Sequence, residues 1–143
     1  MAGIAGIFKD GKTRQIEKML DSISHRGQFG KKIFELNNAT VGMIWSEQED
    51  DRVKEQAKSR IFSDGPGYGH TAQASWNKKQ LQLYRDELGV APLYLAKDAD
   101  GHTLFASEVK ALLPFSDDIS EMPPGHTFLE REYKKFFELN QRN

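Results

Sequence analysis

Apolar residues fill the first eight positions, Met1-Ala2-Gly3-Ile4-Ala5-Gly6-Ile7-Phe8, and give way to a polar Lys9-Asp10-Gly11 turn. A run of small and β-branched residues ending in a turn predicts a buried strand. Ile16, Met19, Leu20 and Ile23 then recur at i, i+3, i+4 and i+7 between Thr13 and Ser24, the period of a helix with one buried stripe. Gly27 and Gly30 end it. Lys32 to Leu36 and Ala39 to Ser46, joined by Asn37-Asn38, predict a hairpin. From Glu47 to Arg60 only Val53 and Ala57 are apolar, so this stretch is expected to be a solvated helix or a mobile loop.

Strand character resumes at Ile61 to Ser63, and Asp64 to Gly69 is a dense turn signal. His70 to Trp76 and Gln80 to Arg85, around Asn77-Lys78-Lys79, predict a second hairpin in which Leu81 and Leu83 alternate with Gln80, Gln82 and Tyr84. The block from Arg85 to Leu113 reads strand, tight turn at Asp98 to Gly101, strand and short helix. Pro114 and Asp117-Asp118 stop that helix, and Met122-Pro123-Pro124-Gly125 turns the chain into His126 to Leu129. Tyr133, Phe136 and Phe137 are spaced for a short last helix.

At 143 residues, 38% hydrophobic and 29% charged, the chain suits one domain, residues 1–143. A net charge of −1 gives no reason to expect nucleic acid or an anionic membrane as partner. No apolar run reaches spanning length and no signal-peptide pattern opens the chain, so a cytoplasmic location is expected. The absence of cysteine excludes disulfides and thiolate chemistry.

The segments MAGIAGIF, SHRG (24–27), RDELGVAPLY (85–94), LFASEVKALL (104–113) and PPGH (123–126) resemble, in order and spacing, the class II glutamine amidotransferase domain of asparagine synthetases. The resemblance implies an N-terminal nucleophile hydrolase fold: an α+β, αββα sandwich of two antiparallel sheets with helices outside. It also implies a catalytic cysteine at the second position, where this chain has Ala2. The family's Asn-Gly oxyanion pair and its arginine-bearing strand are not found between Trp45 and His70, so a fold shortened in the middle is expected. No synthetase domain is expected.

Glutamine hydrolysis of this kind needs a nucleophile and oxyanion donors together. Ala2 offers no heteroatom. The expected protein is a non-catalytic pseudoenzyme that binds, scaffolds or regulates, as a homo-oligomer or with a protein partner. The alternative is a glutamine-hydrolysing subunit whose position-2 cysteine was replaced by alanine, supplying ammonia to a separate synthetase. A third reading is a sensor of glutamine or a related amino acid. Arg26 and Gly27 are the candidate ligand-binding remnant: Arg26 either grips a carboxylate bidentately or ties the first strand to its neighbours. Arg85 and Asp86 are expected to fix a turn.

Gly65, Gly67 and Gly69 lack the rest of a phosphate loop. Asp98-x-Asp100-Gly101 lacks the later ligands of a calcium loop and reads as a hairpin turn. The histidines His25, His70, His102 and His126 show no ligand spacing, so no metal and no cofactor are expected.

Overall fold

The computed structural model describes residues 2–63, 71–129 and, as backbone, 132–135. Eleven strands among these residues form two antiparallel sheets. The six-stranded sheet runs β2 (Gly30–Leu36), β3 (Ala39–Trp45), β1 (Gly3–Ile7), β8 (Thr103–Ala106), β7 (Tyr94–Lys97) and β9 (Ile119–Glu121). The five-stranded sheet runs β11 (Glu132–Lys135), β10 (His126–Leu129), β6 (Leu81–Arg85), β5 (Ala72–Trp76) and β4 (Ile61–Ser63). Two α-helices, α1 (Thr13–Ser22) and α2 (Asp50–Lys58), complete the frame.

The two-residue period of β1 and β3 sorts the core into two layers. Ala2 and Ile4, with Val41, Met43 and Trp45 of β3, face the second sheet and pack with Phe62, Leu83, Phe105 and Phe128. Ala5 and Ile7, with Ile44, face Ile16, Met19, Leu20 and Ile23 on the helical stripe. All five residues of β1 are buried, because the strand lies mid-sheet and is covered on both faces. Gly42 lets α1 lie close: a Cβ there would stand 2.6 Å from Ile16 and 2.7 Å from Leu20.

The sandwich is the one expected, and so are α1, the hairpin turning at Asn37-Asn38 and the β5–β6 hairpin. Three segments differ in detail. Residues 47–58 are ordered as a 3-10 turn, Glu47–Glu49, followed by α2, which packs on β4 and buries Val53. A capping box explains the order: Ser46 and Glu49 satisfy each other's backbone and side chain at the entry. The short helix after β8 is a single 3-10 turn, Val109–Ala111, and the chain beyond it returns as β9 beside β7.

The tail is the clear correction. Residues 132–135 form a strand on β10, with Phe128 opposite Tyr133, where helical spacing had predicted a helix. The exposed backbone edge of β10 offers four residues a ready ladder, which a short isolated helix cannot match. Phe136, Phe137, the glycines at 65, 67 and 69, and His70 lie outside the described residues.

Candidate functional site

Ala2 stands at the entrance to β1 and is completely buried. Its backbone N–H donates to Glu49 Oε2 at 2.7 Å, and its carbonyl accepts from an Arg26 guanidinium nitrogen at 2.8 Å. Both polar groups of the residue are therefore held by charged side chains, which removes the cost of burying them unpaired. Ser107, just past β8, adds the next clamp. Its hydroxyl accepts from the Ile4 N–H at 2.9 Å, and its own N–H donates to the Ile4 carbonyl at 3.0 Å.

The two charged groups belong to two small networks. Glu49 Oε1 also accepts from the Ser46 N–H and hydroxyl, at 3.1 and 3.0 Å, and Arg52 lies 3.4 Å from Glu49 Oε2. Burial pushes the Glu49 carboxyl up, but the hydrogen bonds from Ser46 and Ala2 outweigh it and hold the group below its ordinary range. On the other side, Arg26 Nε and His25 Nε2 both meet Glu108 Oε2. Burial pushes Glu108 up as well, and the hydrogen bonds from Arg26 and His25 bring it below its ordinary range.

Glycine at position 27 is a steric requirement. A Cβ there would stand 2.2 Å from the backbone carbon of Trp45, so the loop after Arg26 runs directly against β3. Trp45 in turn donates its indole N–H to Asp50 Oδ1 at 2.8 Å. The chain thus brings Ala2, Arg26 and Gly27 together, and ties them through Glu108 and Trp45 to neighbouring strands. Sequence reasoning missed Glu49, Ser107 and Glu108. Glu49 stood inside a charged run, where its capping-box spacing from Ser46 was the one available signal.

Arg85 and Asp86 fix a turn, as expected. The Arg85 side chain, 4% exposed, donates to the carbonyls of Gly89, Ala91 and Met122 and pairs with Glu121 at 2.9 Å. Asp86 accepts the N–H of Thr71 and of Gly89. Asp98 shapes the β7–β8 turn by accepting the N–H groups of Asp100 and His102. Among the described residues, Asp98, Asp100 and His102 form a group able to hold a metal, with ligand atoms within 4.8 Å of one another. They lie at the β7–β8 turn, remote in sequence from Ala2, with Asp100 exposed and Asp98 and His102 half-buried.

What this arrangement can do chemically follows from its atoms. Alanine supplies neither a nucleophile nor a proton, and the Arg26 fork is occupied by Glu108 and by the Ala2 carbonyl. A carboxylate ligand would have to displace Glu108 to reach the Arg26 Nε.

Residues 55–114 match the family described as glutamine amidotransferase domain. Over 48 residues the chain is 49% identical to asparagine synthetase B [glutamine-hydrolyzing] of Escherichia coli, covering 34% of this chain and 9% of that protein. It is 34% identical over 76 residues to a probable asparagine synthetase of Dictyostelium discoideum, covering 50% and 14%. The matched stretch thus spans about a tenth of the length of these relatives. In structure, the chain resembles glutamine phosphoribosylpyrophosphate amidotransferase from B. subtilis, with a TM-score of 0.69, 15% identity, and 96% of this chain and 50% of that one covered. An allosteric regulatory enzyme of purine biosynthesis gives a TM-score of 0.71 at 14% identity, with 96% and 49% covered. The fold is that of the N-terminal nucleophile amidotransferases, and the sequence is similar to the glutamine amidotransferase domain of asparagine synthetases.

Proposed function

We propose that this glutamine amidotransferase-type domain, residues 1–143, keeps the fold without the hydrolysis and serves as a binding or scaffold protein in the cytoplasm. The observation that carries the reading is Ala2: buried, without a heteroatom, and held at both backbone groups by Glu49 and Arg26. An amidotransferase site must admit glutamine to a nucleophile and place oxyanion donors beside it. Here core side chains surround the position instead. Among the described residues no helix is long and apolar enough to cross a membrane.

The second reading, an enzyme whose cysteine was replaced, draws on the retained Ser24-His25-Arg26-Gly27 loop and its contact with Glu108. One experiment separates the two. Ala2→Cys, assayed for glutamate release from glutamine, is expected to show no release above the Ala2 protein. Release on restoring the thiol would establish the enzyme reading. Calorimetry with glutamine, asparagine and aspartate tests the amino-acid sensor in the same way, with no heat of binding expected from any of the three.

A further inference from the structure

Among the described residues β2 is the outermost strand of the six-stranded sheet, and at seven residues it presents a long free edge. Such an edge is a template for another strand unless charge, proline or a bulge blunts it. Its sequence, Gly30-Lys31-Lys32-Ile33-Phe34-Glu35-Leu36, has no proline, and its ladder with β3 is regular. The lysines look like blunting charges. Antiparallel pairing of the strand with itself about Ile33 changes their meaning, because Lys31 then faces Glu35 of the second copy and Lys32 faces Phe34, each twice, with Ile33 against Ile33.

We propose that β2 pairs in this register with β2 of a second copy, forming a twofold dimer whose six-stranded sheets continue across the interface. The inference names the partner for the binding role proposed above and rests on that reading only for its purpose. The faces agree. Lys31 and Glu35 both stand on the α1 side of the sheet, where Lys31 Nζ lies 3.2 Å from Glu17 and Glu35 accepts the Gly11 N–H at 3.0 Å. Lys32 and Phe34 stand on the inner side, where the Lys32 ammonium lies 5.3 Å from the Phe34 ring centre and the Phe34 and Phe62 rings pack at a tilt of 45° with centres 4.8 Å apart. Directly opposed residues of an antiparallel pair share a face, so every proposed pair meets on one side. Phe34 is already a cation acceptor on this inner side, since the Arg60 guanidinium lies 5.5 Å from its ring.

Neighbouring registers are poorer. Sliding two residues one way sets Lys32 against Lys32; sliding two the other way sets Glu35 against Ile33 and leaves Lys31 without its acid. A one-residue slide joins the α1 face of one copy to the inner face of the other. A head-to-tail contact with the opposite edge is also less favourable, because β9 offers three residues and its Glu121 is engaged by Arg85. Self-pairing is the isologous arrangement that closes.

Sedimentation of the full chain tests the proposal through charge. The wild-type protein is expected to dimerise with rising concentration, and Lys31→Glu and Glu35→Lys alone are each expected to lose the dimer. Mixing the two single variants is expected to restore it as a heterodimer, since one pair is rebuilt with reversed sign and the other in its native sense, and the double variant, with both pairs reversed, is expected to dimerise alone. A wild-type monomer at all concentrations, single variants that dimerise unchanged, or assemblies that keep growing would overturn it. If a charge variant does not fold, Ile33→Cys supplies a second measurement. The chain has no cysteine, and antiparallel partners bring Cα atoms to roughly 4.5–5.5 Å, within disulfide range. A covalent dimer should form at 33 and not with Lys79→Cys; equal yields from both would reject the interface. Glutamate release from Ala2→Cys would reject the loss of catalysis and leave this result untouched.

Discussion

Glu49 shows how much one residue in a charged stretch can organise. It caps its own turn through Ser46 and receives the N–H that begins the central strand, so its carboxylate joins residues 47 positions apart. Glu49→Gln leaves one acceptor for several donors and is expected to cost about 1–2 kcal/mol at neutral pH. Both Glu49 and Glu108 lie below their ordinary value of 4.5 in the fold. A depressed carboxyl stabilises the fold fully above its unfolded value and loses that contribution as pH falls through the folded one. Urea midpoints measured from about pH 7 to pH 3 should therefore fall below roughly pH 4.5, and Glu49→Gln should shallow that fall. Of this only the Ser46-to-Glu49 capping-box spacing was legible in the sequence, because a glutamate 47 residues from its partner carries no local signature. Gly27 was legible as a motif member, but its reason, contact with the Trp45 backbone, required the fold.

At the scale of elements, local pattern served best where one face is buried. The apolar stripe of α1 and the alternation in β6 map directly onto burial. It served worst where a neighbour decides the outcome, as at β9 and β11, which are strands because an adjacent edge was available. The turn between β6 and β7 belongs to the same class: residues 86–93 form no regular element, and Arg85 supplies the order that a ladder would otherwise give. Arg85→Met is expected to destabilise the protein by about 3 kcal/mol, since it orphans buried carbonyls and strands none of its own charge. The check is denaturant unfolding, with the m-value unchanged if the fold is retained.

For the whole molecule, the layers predict a gradient of protection. β1 is covered by α1 on one face and by the second sheet on the other, and flanked by β3 and β8. Its amides should exchange with solvent only on global unfolding, those of β9 by local opening, and those on the outer edge of β2 by local opening only at concentrations where the chain is a monomer. Native-state hydrogen exchange measures this, and fast exchange in β1 would contradict the layered reading. The position of β1 also constrains assembly in time. One of its neighbours, β3, lies about forty residues ahead, whereas the other, β8, lies about a hundred ahead, with Ala5 opposite Ala106. Three strands with their helix can gather early, but β1 then waits with one side unpaired until β8, a distant segment, arrives. Pairing across such separation is slow because loop closure precedes its reward. During that wait the strand destined to be the most protected in the molecule is the one most open to capture by another chain.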